Sequence, residues 1–344
     1  PRLLGVFTGQ GAQWASMGAK LLATSKWASD RIADLQESLD SLPAEHVPTW
    51  TLSEELSKNK DKSRISDAAF SQPLCTALQI LIFDYLEAAG IKLKAVVGHS
   101  SGEIPAAYAA GYISAEDAIR IAYYRGYFLY LAESPEGSGG GAMMAVGISE
   151  HDALDLLDLD ELDGRVAIAA SNSPESLTLS GDANAIDIAR QILVDEKTFA
   201  RLLKVDKAYH SHHMLPCSRP YIEALKNAGI GIRERVPDEE QPSWISSVYG
   251  DDIETIGTET LSDEYWGRNM TGQVLFSQAL EQAISTKGPF DLAVEVGPHP
   301  ALKSPAMQTF TAVAGSEIPY VGTLRRGPRG DSRIRLEAPR TRSR

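Results

Sequence analysis

The hexapeptide Gly98-His99-Ser100-Ser101-Gly102-Glu103 follows the apolar run Leu93 to Val97 without a spacer and opens a stretch with helical spacing. Strand, sharp turn and helix in that order constrain the fold more than any other feature of the chain. They bring whatever the turn carries to the carboxyl edge of an α/β sheet. Glycines on both sides of Ser100 permit a strained turn without Cβ clashes, and the helix that follows aims its free N–H groups back at the serine. Ser100 is therefore the first candidate for a covalent nucleophile. The G-x-S-x-G pattern alone recurs by chance in roughly one chain in ten of this length at ordinary Gly and Ser frequencies, so its weight rests on that context.

The rest of the chain supplies the layers such a turn needs. Leu3 to Phe7 reads as a buried first strand running into the tight loop Thr8-Gly9-Gln10-Gly11. Trp27 to Leu42 and Gln72 to Ala89 carry apolar residues at three and four spacing, the second with Pro73 near its first turn and Gly90 past its end. Ser114-Ala115-Glu116-Asp117 is a capping-box-like start to a helix that runs to about Ala132 and carries Arg125. The glycine-rich tract within Ser134 to Gly141 is the clearest break. It reads as a hinge and not as a phosphate cradle, because no Lys-Ser/Thr follows to complete a P-loop.

After the break the pattern changes to strand (Met143 to Gly147), helix (Ser149 to Leu157), strands (Val166 to Ala170, Leu177 to Ser180), helix (Ala183 to Val194) and strand (Ala200 to Val205). That βαββαβ order is ferredoxin-like. A helix from about His213 to Ala228, a strand near Ile245 to Val248, a helix from Val274 to Ile284 and the strand Leu292 to Val296 resume the earlier style. The expected organisation is a large α/β domain in two parts, residues 1–138 and 206–326, interrupted by a small domain at 139–205. The Arg-rich, apolar-poor tail 327–344 is expected to be disordered.

Composition narrows the function. With 43% hydrophobic and 23% charged residues, the 344-residue chain is ordinary globular material, and its formal charge of −13 argues against nucleic acid or anionic membrane as partners. An anionic substrate must be met by local positive charge. Cys75 and Cys217 are too few for a disulfide framework or a Cys-based metal site, which points to free thiols in the cytoplasm. No run reaches the roughly 18 apolar residues of a membrane span, and no signal-like segment opens the chain. A start at Pro1 without methionine suggests a piece of something longer.

A serine hydroxyl needs a base to take its proton, and His210, His212 and His213 are the obvious source. As a metal site the same cluster is disfavoured. No well-placed Cys or acidic ligands accompany it, and so tight a loop would struggle to converge three rings on one ion.

Gly9-Gln10-Gly11, the Ser100 hexapeptide, Arg125, Lys207-Ala208-Tyr209-His210-Ser211, Asn269 in Trp266-Gly267-Arg268-Asn269, and Glu295-Val296-Gly297-Pro298-His299-Pro300 occur in an order that resembles the malonyl-CoA:acyl carrier protein transacylases. The resemblance runs from about Leu3 to Leu324 and is strongest to the acyltransferase domain of type I polyketide synthases, in wording to fungal highly reducing ones. It implies an α/β-hydrolase-like large domain with a mainly parallel sheet, and an active site in the cleft facing the ferredoxin-like insert. It implies Ser100 as nucleophile, His210 as base oriented by a main-chain carbonyl near Asn269, and the N–H groups of Gln10 and Ser101 as an oxyanion hole. Arg125 would fork onto the malonyl carboxylate, and His99, Asn269 and His299 would stand at the substrate pocket.

An aromatic residue just before the base, here Tyr209, goes with malonyl selection. Lys207 in place of a histidine and Ser101 in place of an aliphatic residue depart from the commonest wording and leave the extender choice open. Glu103 reads as a charge at a helix N-terminus. The implied substrate is malonyl-CoA and the implied partners are a phosphopantetheine-bearing carrier protein and neighbouring domains such as a ketosynthase. No metal or tightly bound cofactor is called for. A serine hydrolase or thioesterase, and a catalytically idle docking domain, are the rival readings.

Overall fold

The computed structural model describes residues 1–205, 207–232 and 241–327. All of the tail but Gly327 therefore lies outside the described residues.

Among the described residues ten strands form two sheets. The larger has the order β10-β9-β1-β2-β7-β8, built from β1 (Leu3–Phe7), β2 (Leu93–Gly98), β7 (Ser243–Ser246), β8 (Asp251–Asp252), β9 (Leu292–Val296) and β10 (Tyr320–Gly322). Every pair in it is parallel except β7 with β8. Helices cover both faces, which is why β1 reads as an unbroken apolar run instead of an alternating one. Leu4, Val6, Ala95, Val97 and Ile245 pack on Phe276, Leu280 and Phe310 on one side. Leu3, Phe7, Val96 and Trp244 belong to the larger cluster on the other, with Leu74, Leu78 and Ile121.

The helix Ala68–Ala88 lies in the middle of that cluster and is buried nearly all round. It begins four residues before the start read from the sequence, because Asp67 rather than a residue near Pro73 caps it. The helix expected to run to Ala132 ends at Tyr127 and continues as a 3-10 turn, Phe128–Leu131. The helices Leu52–Ser57, Asp263–Thr271 and Lys303–Ala314 were not among the sequence expectations.

The second sheet comprises β3 (Gly141–Val146), β4 (Val166–Ser173), β5 (Ser176–Asp182) and β6 (Ala200–Leu202) in the order β4-β5-β3-β6, all antiparallel. Period-2 alternation divides its two faces. Met144, Val146, Ile168, Leu177 and Leu179 pack on the helices Glu150–Leu157 and Ala183–Asp195 in a core of their own. Met143, Ala169, Ala170 and Thr178 point the other way, toward the large sheet. The loop before β3 holds Gly137, Gly139 and Gly140 at positive φ and is tied down by bonds from Asn184 N to Ser138 O and Ala183 N to Gly140 O.

Candidate active site

The turn after β2 is built by contact. A Cβ on Gly98 would stand 2.3 Å from Glu103 N, and one on Gly102 would stand 2.2 Å from Phe7 O, so neither position accepts a side chain. Between them Ser100 sits at φ 53°, in the left-handed region that costs a non-glycine residue about 1–3 kcal/mol. Glu103 closes the turn from below. It is fully buried, accepting from Gly98 N at 3.0 Å, from Trp244 Nε1 at 3.3 Å and from the Tyr265 hydroxyl. Burial outweighs these donors and pushes its carboxyl up to about 7. Glu103 stands at the start of the helix Glu103–Ala109, as read from sequence, but it is a buried brace there, because β7 and the helix Asp263–Thr271 converge on it from far along the chain.

Ser100 Oγ donates to His210 Nε2 at 2.7 Å, and His210 Nδ1 donates to the Gly272 carbonyl at 2.8 Å. That second bond puts the ring proton on Nδ1 and leaves the Nε2 lone pair facing the serine. Burial, and after it the charge of Arg125, push His210 down to about 3, so the ring is neutral at physiological pH. The orienting carbonyl lies three residues beyond Asn269, on a loop the sequence reading had only bracketed.

Arg125 is 2% exposed, with Nη2 3.2 Å from Ser100 Oγ and Nε 3.2 Å from Asn269 Oδ1. Among the described residues no carboxylate pairs with it. Asn269 also donates from Nδ2 to Ser100 O at 2.9 Å. It stands behind the cavity wall and holds the arginine and the nucleophile together, a correction to its expected place in the pocket lining.

The cavity over these groups has a volume of about 690 Å³ and is walled by both sheets. Gln10, Gly11, His99, Arg125, Tyr209 and His210 line it from the large side. His99 bonds Asn172 Oδ1 through Nε2 at 2.8 Å, which bridges the two sheets at the cleft. Ser101 lies in the 3-10 turn Ser100–Gly102, next to the nucleophile. His299 is not at the cavity wall, contrary to expectation; its Nδ1 accepts from Arg326 N at 3.4 Å on the far side of the β9 turn. What that motif contributes near the site is Glu295, which accepts from Thr8 Oγ1 at 2.8 Å and from the Tyr320 hydroxyl at 2.6 Å and so anchors the Gly9-Gln10-Gly11 loop.

His212 and His213 do not join His210. Their Nε2 atoms meet Asp182 Oδ1 at 3.0 and 2.8 Å, at the end of β5. The sequence reading missed Asp182, since nothing local connects it to a loop thirty residues on.

A family model described as an acyl transferase domain matches residues 5–341. The chain belongs to the acyl transferase domain family. This acyltransferase is 54% identical to equisetin synthetase of Fusarium heterosporum and 56% identical to a polyketide synthase-nonribosomal peptide synthetase of Aspergillus flavipes, each over 327 residues and 95% of the chain. It spans only 8% of the length of either relative. A loading acyltransferase from the avermectin modular polyketide synthase has a solved structure that superposes with a TM-score of 0.80 at 28% identity, covering 94% of this chain and 95% of that one. The acyltransferase thus shares the α/β fold of polyketide synthase acyltransferase domains. Among its described residues no helix is long and apolar enough to cross a membrane.

Proposed function

We propose that this domain moves a malonyl group from CoA to the phosphopantetheine thiol of an acyl carrier protein, supplying extender units within a multidomain fungal synthase. The observation that carries the reading is Arg125, a buried cation beside the nucleophile with no acidic partner among the described residues. An unpaired buried guanidinium is costly, and a bidentate carboxylate on the acyl group would offset that cost. A general hydrolase has no use for it. The 2.7 Å bond between Ser100 and His210 speaks against an idle docking domain.

In the first half-reaction His210 Nε2 takes the Ser100 proton as Oγ attacks the thioester carbonyl. The oxyanion is held by the N–H groups of Gln10 and Ser101, and the C–S bond breaks as the imidazolium returns the proton to the CoA sulfur. The second half reverses these steps with the carrier's thiol as nucleophile. Tyr209, at the cavity wall, would fill the space an α-methyl needs.

The same reading takes residues 139–205 as a ferredoxin-like domain inserted between the two parts, 1–138 and 206–326, of an α/β-hydrolase-like domain. The β4-β5-β3-β6 order and the separate core of the small sheet support it. Cytoplasmic residence, supported by two unbridged thiols, and the carrier and ketosynthase partners belong to it as well.

The test is intact-protein mass after brief exposure to malonyl-CoA. A malonyl adduct mapped to Ser100, stable in buffer and discharged by holo-carrier protein, is the expected result. Rapid loss to water without carrier would make the domain a thioesterase, and no adduct would leave the docking reading.

A further inference from the structure

The carbonyl that orients the base belongs to a short link. Gly272 ends the helix Asp263–Thr271 with extended backbone, at φ −86° and ψ 168°, and the next helix, Phe276–Lys287, begins four residues later. The ends of the link are tied to the large side, Gly272 N to Arg268 O at 2.7 Å and Leu275 N to Ser247 O at 2.7 Å. Its middle is held from the small sheet. Val274 donates to Ala169 O and accepts from Ser171 N, each at 2.9 Å, in a parallel bridge opposite Ala170. The link thus takes its register from β4, and Gly272 O, which accepts from His210 Nδ1 at 2.8 Å, stands two residues before that bridge.

A side chain completes the hold. Glu150, the first residue of the helix Glu150–Leu157, accepts from Gln273 Nε2 at 3.0 Å through Oε1 and from Gln278 Nε2 at 3.1 Å through Oε2. One oxygen grips the link beside Gly272. The other grips the first turn of the following helix, so the carboxylate spans Val274 and fixes the link against the helix. Bonds to an ionised acceptor are roughly twice as strong as neutral ones, which suits a part-buried clamp. Neither Glu150 nor Gln273 lies at the cavity wall, so what they do to the reaction reaches it through the link.

We propose that Glu150 is a positioning residue for the base, acting through Gln273 to hold the Gly272 carbonyl against His210 Nδ1. The assignment rests on the acyl-transfer reading above, in which His210 Nε2 takes the serine proton. When the carbonyl slips, Nδ1 loses its acceptor, and the ring is free to turn or to carry its proton on Nε2, where it cannot accept one from Ser100. The small sheet then serves the chemistry as well as the wall: it sets the tautomer of a base carried by another part of the chain.

The test compares wild type with Glu150→Ala, Gln273→Ala, Glu150→Gln and Gln278→Ala. Single-turnover acylation by malonyl-CoA is expected to slow about 10- to 100-fold in the first two, the scale of a small misplacement, with half-saturation unchanged. Glu150→Ala/Gln273→Ala should be no slower than either single variant. Glu150→Gln keeps an acceptor for Gln273 and offers a donor to Gln278 Oε1, a buried atom without a partner among the described residues, so it should restore the wild-type rate. Gln278→Ala leaves the link gripped and should be silent. In spectra of isotope-labelled histidine, taken without substrate, the His210 Nδ1 proton is identified by its loss in His210→Ala. It is expected downfield and protected from exchange in wild type and Glu150→Gln, and lost or shifted in Glu150→Ala and Gln273→Ala. That signal needs no acyl chemistry, so it tests the positioning even if Ser100 fails to acylate. A signal that neither alanine variant moves overturns the proposal. So does an unchanged rate in a protein that acylates, a slowing that Gln278→Ala shares equally, a glutamine variant as slow as the alanine one, or a change confined to half-saturation.

Discussion

At Ser100 the left-handed backbone and the bond to His210 act together: the strain lifts Oγ out of the turn, and the imidazole receives it. Ser100→Ala is expected to abolish the acyl-enzyme, and His210→Ala to slow its formation by about 10²–10⁴. A malonyl ester recovered by peptide mapping from the alanine protein would falsify the nucleophile assignment. With His210 pushed down to about 3 from its ordinary 6.5, the base stays unprotonated well below neutrality. Acylation rate should therefore hold nearly level between pH 7 and about 5, and a steep loss centred near pH 6.5 would show a solvated imidazole. Arg125→Ala removes the proposed partner of the malonate carboxylate, at an expected cost on the order of 2–5 kcal/mol by analogy with truncated buried charge pairs. Acetyl transfer should suffer far less. Tyr209→Ser should keep the demand for a carboxylate and relax exclusion of an α-methyl by about 1–3 kcal/mol. Competition among malonyl-, methylmalonyl- and acetyl-CoA separates the two effects, and an equal fall in all three for Arg125→Ala would make that residue purely structural.

The turn from β2 into the helix Glu103–Ala109 depends on absent side chains as much as on present ones. Gly102→Ala drives a methyl to 2.2 Å from Phe7 O, backbone that cannot swing aside, and is expected to prevent soluble folding or displace the serine. Glu103 adds a pH signature to the same element. Its carboxyl is pushed up to about 7 against an ordinary 4.5, so between those values the folded state holds a proton that the unfolded chain releases. The contribution is full below about 4.5 and is lost as pH rises through 7. Glu103→Gln should therefore gain on wild type by on the order of 1 kcal/mol as pH rises from about 5 to 8. His210 has the opposite sign, since its burial as a neutral ring destabilises the fold as pH falls from 6.5 toward 3. Melting temperatures of the two proteins across that range check the assignment, and parallel curves would place the Glu103 proton elsewhere.

Across the whole molecule, the small sheet is joined to the loop bearing His210 by Asp182, which takes His212 and His213 on one oxygen and Arg165 on the other. These contacts hold the carboxyl below the usual carboxylate range. Asp182→Ala takes the carboxylate from both rings, leaves His213 its Nδ1 contact with Ser134 Oγ at 3.2 Å, and removes no atom that touches Ser100, His210 or Arg125. A loosened base loop is expected to lower the acylation rate constant by about 10- to 100-fold, the scale of a 1 Å misplacement, with little change in KM. Pre-steady-state acylation measures this directly, and an unaltered rate constant would mean the His210 loop is held without the latch.

The sequence by itself determined what depends on neighbours a few positions apart. Apolar runs located β1, β2 and β9, strand and helix patterning located the βαββαβ order of the small sheet, and Ser114 and Gly90 marked helix ends, because pattern and capping act within a turn or two of chain. The Ser100 turn was legible for the same reason, and resemblance then brought His210 and Arg125 to it. Short elements such as β8 and β10 carried too few residues for any period to register. The tertiary structure alone decided which distant groups meet. It assigned Gly272 to orient the base, Asp182 to hold His212 and His213, and Trp244 with Tyr265 to enclose Glu103. It also drew Asn269 behind the wall and left His299 outside. Each of those pairings spans at least thirty residues and is fixed by the packing of two sheets, a sum of many weak contacts that no local pattern records.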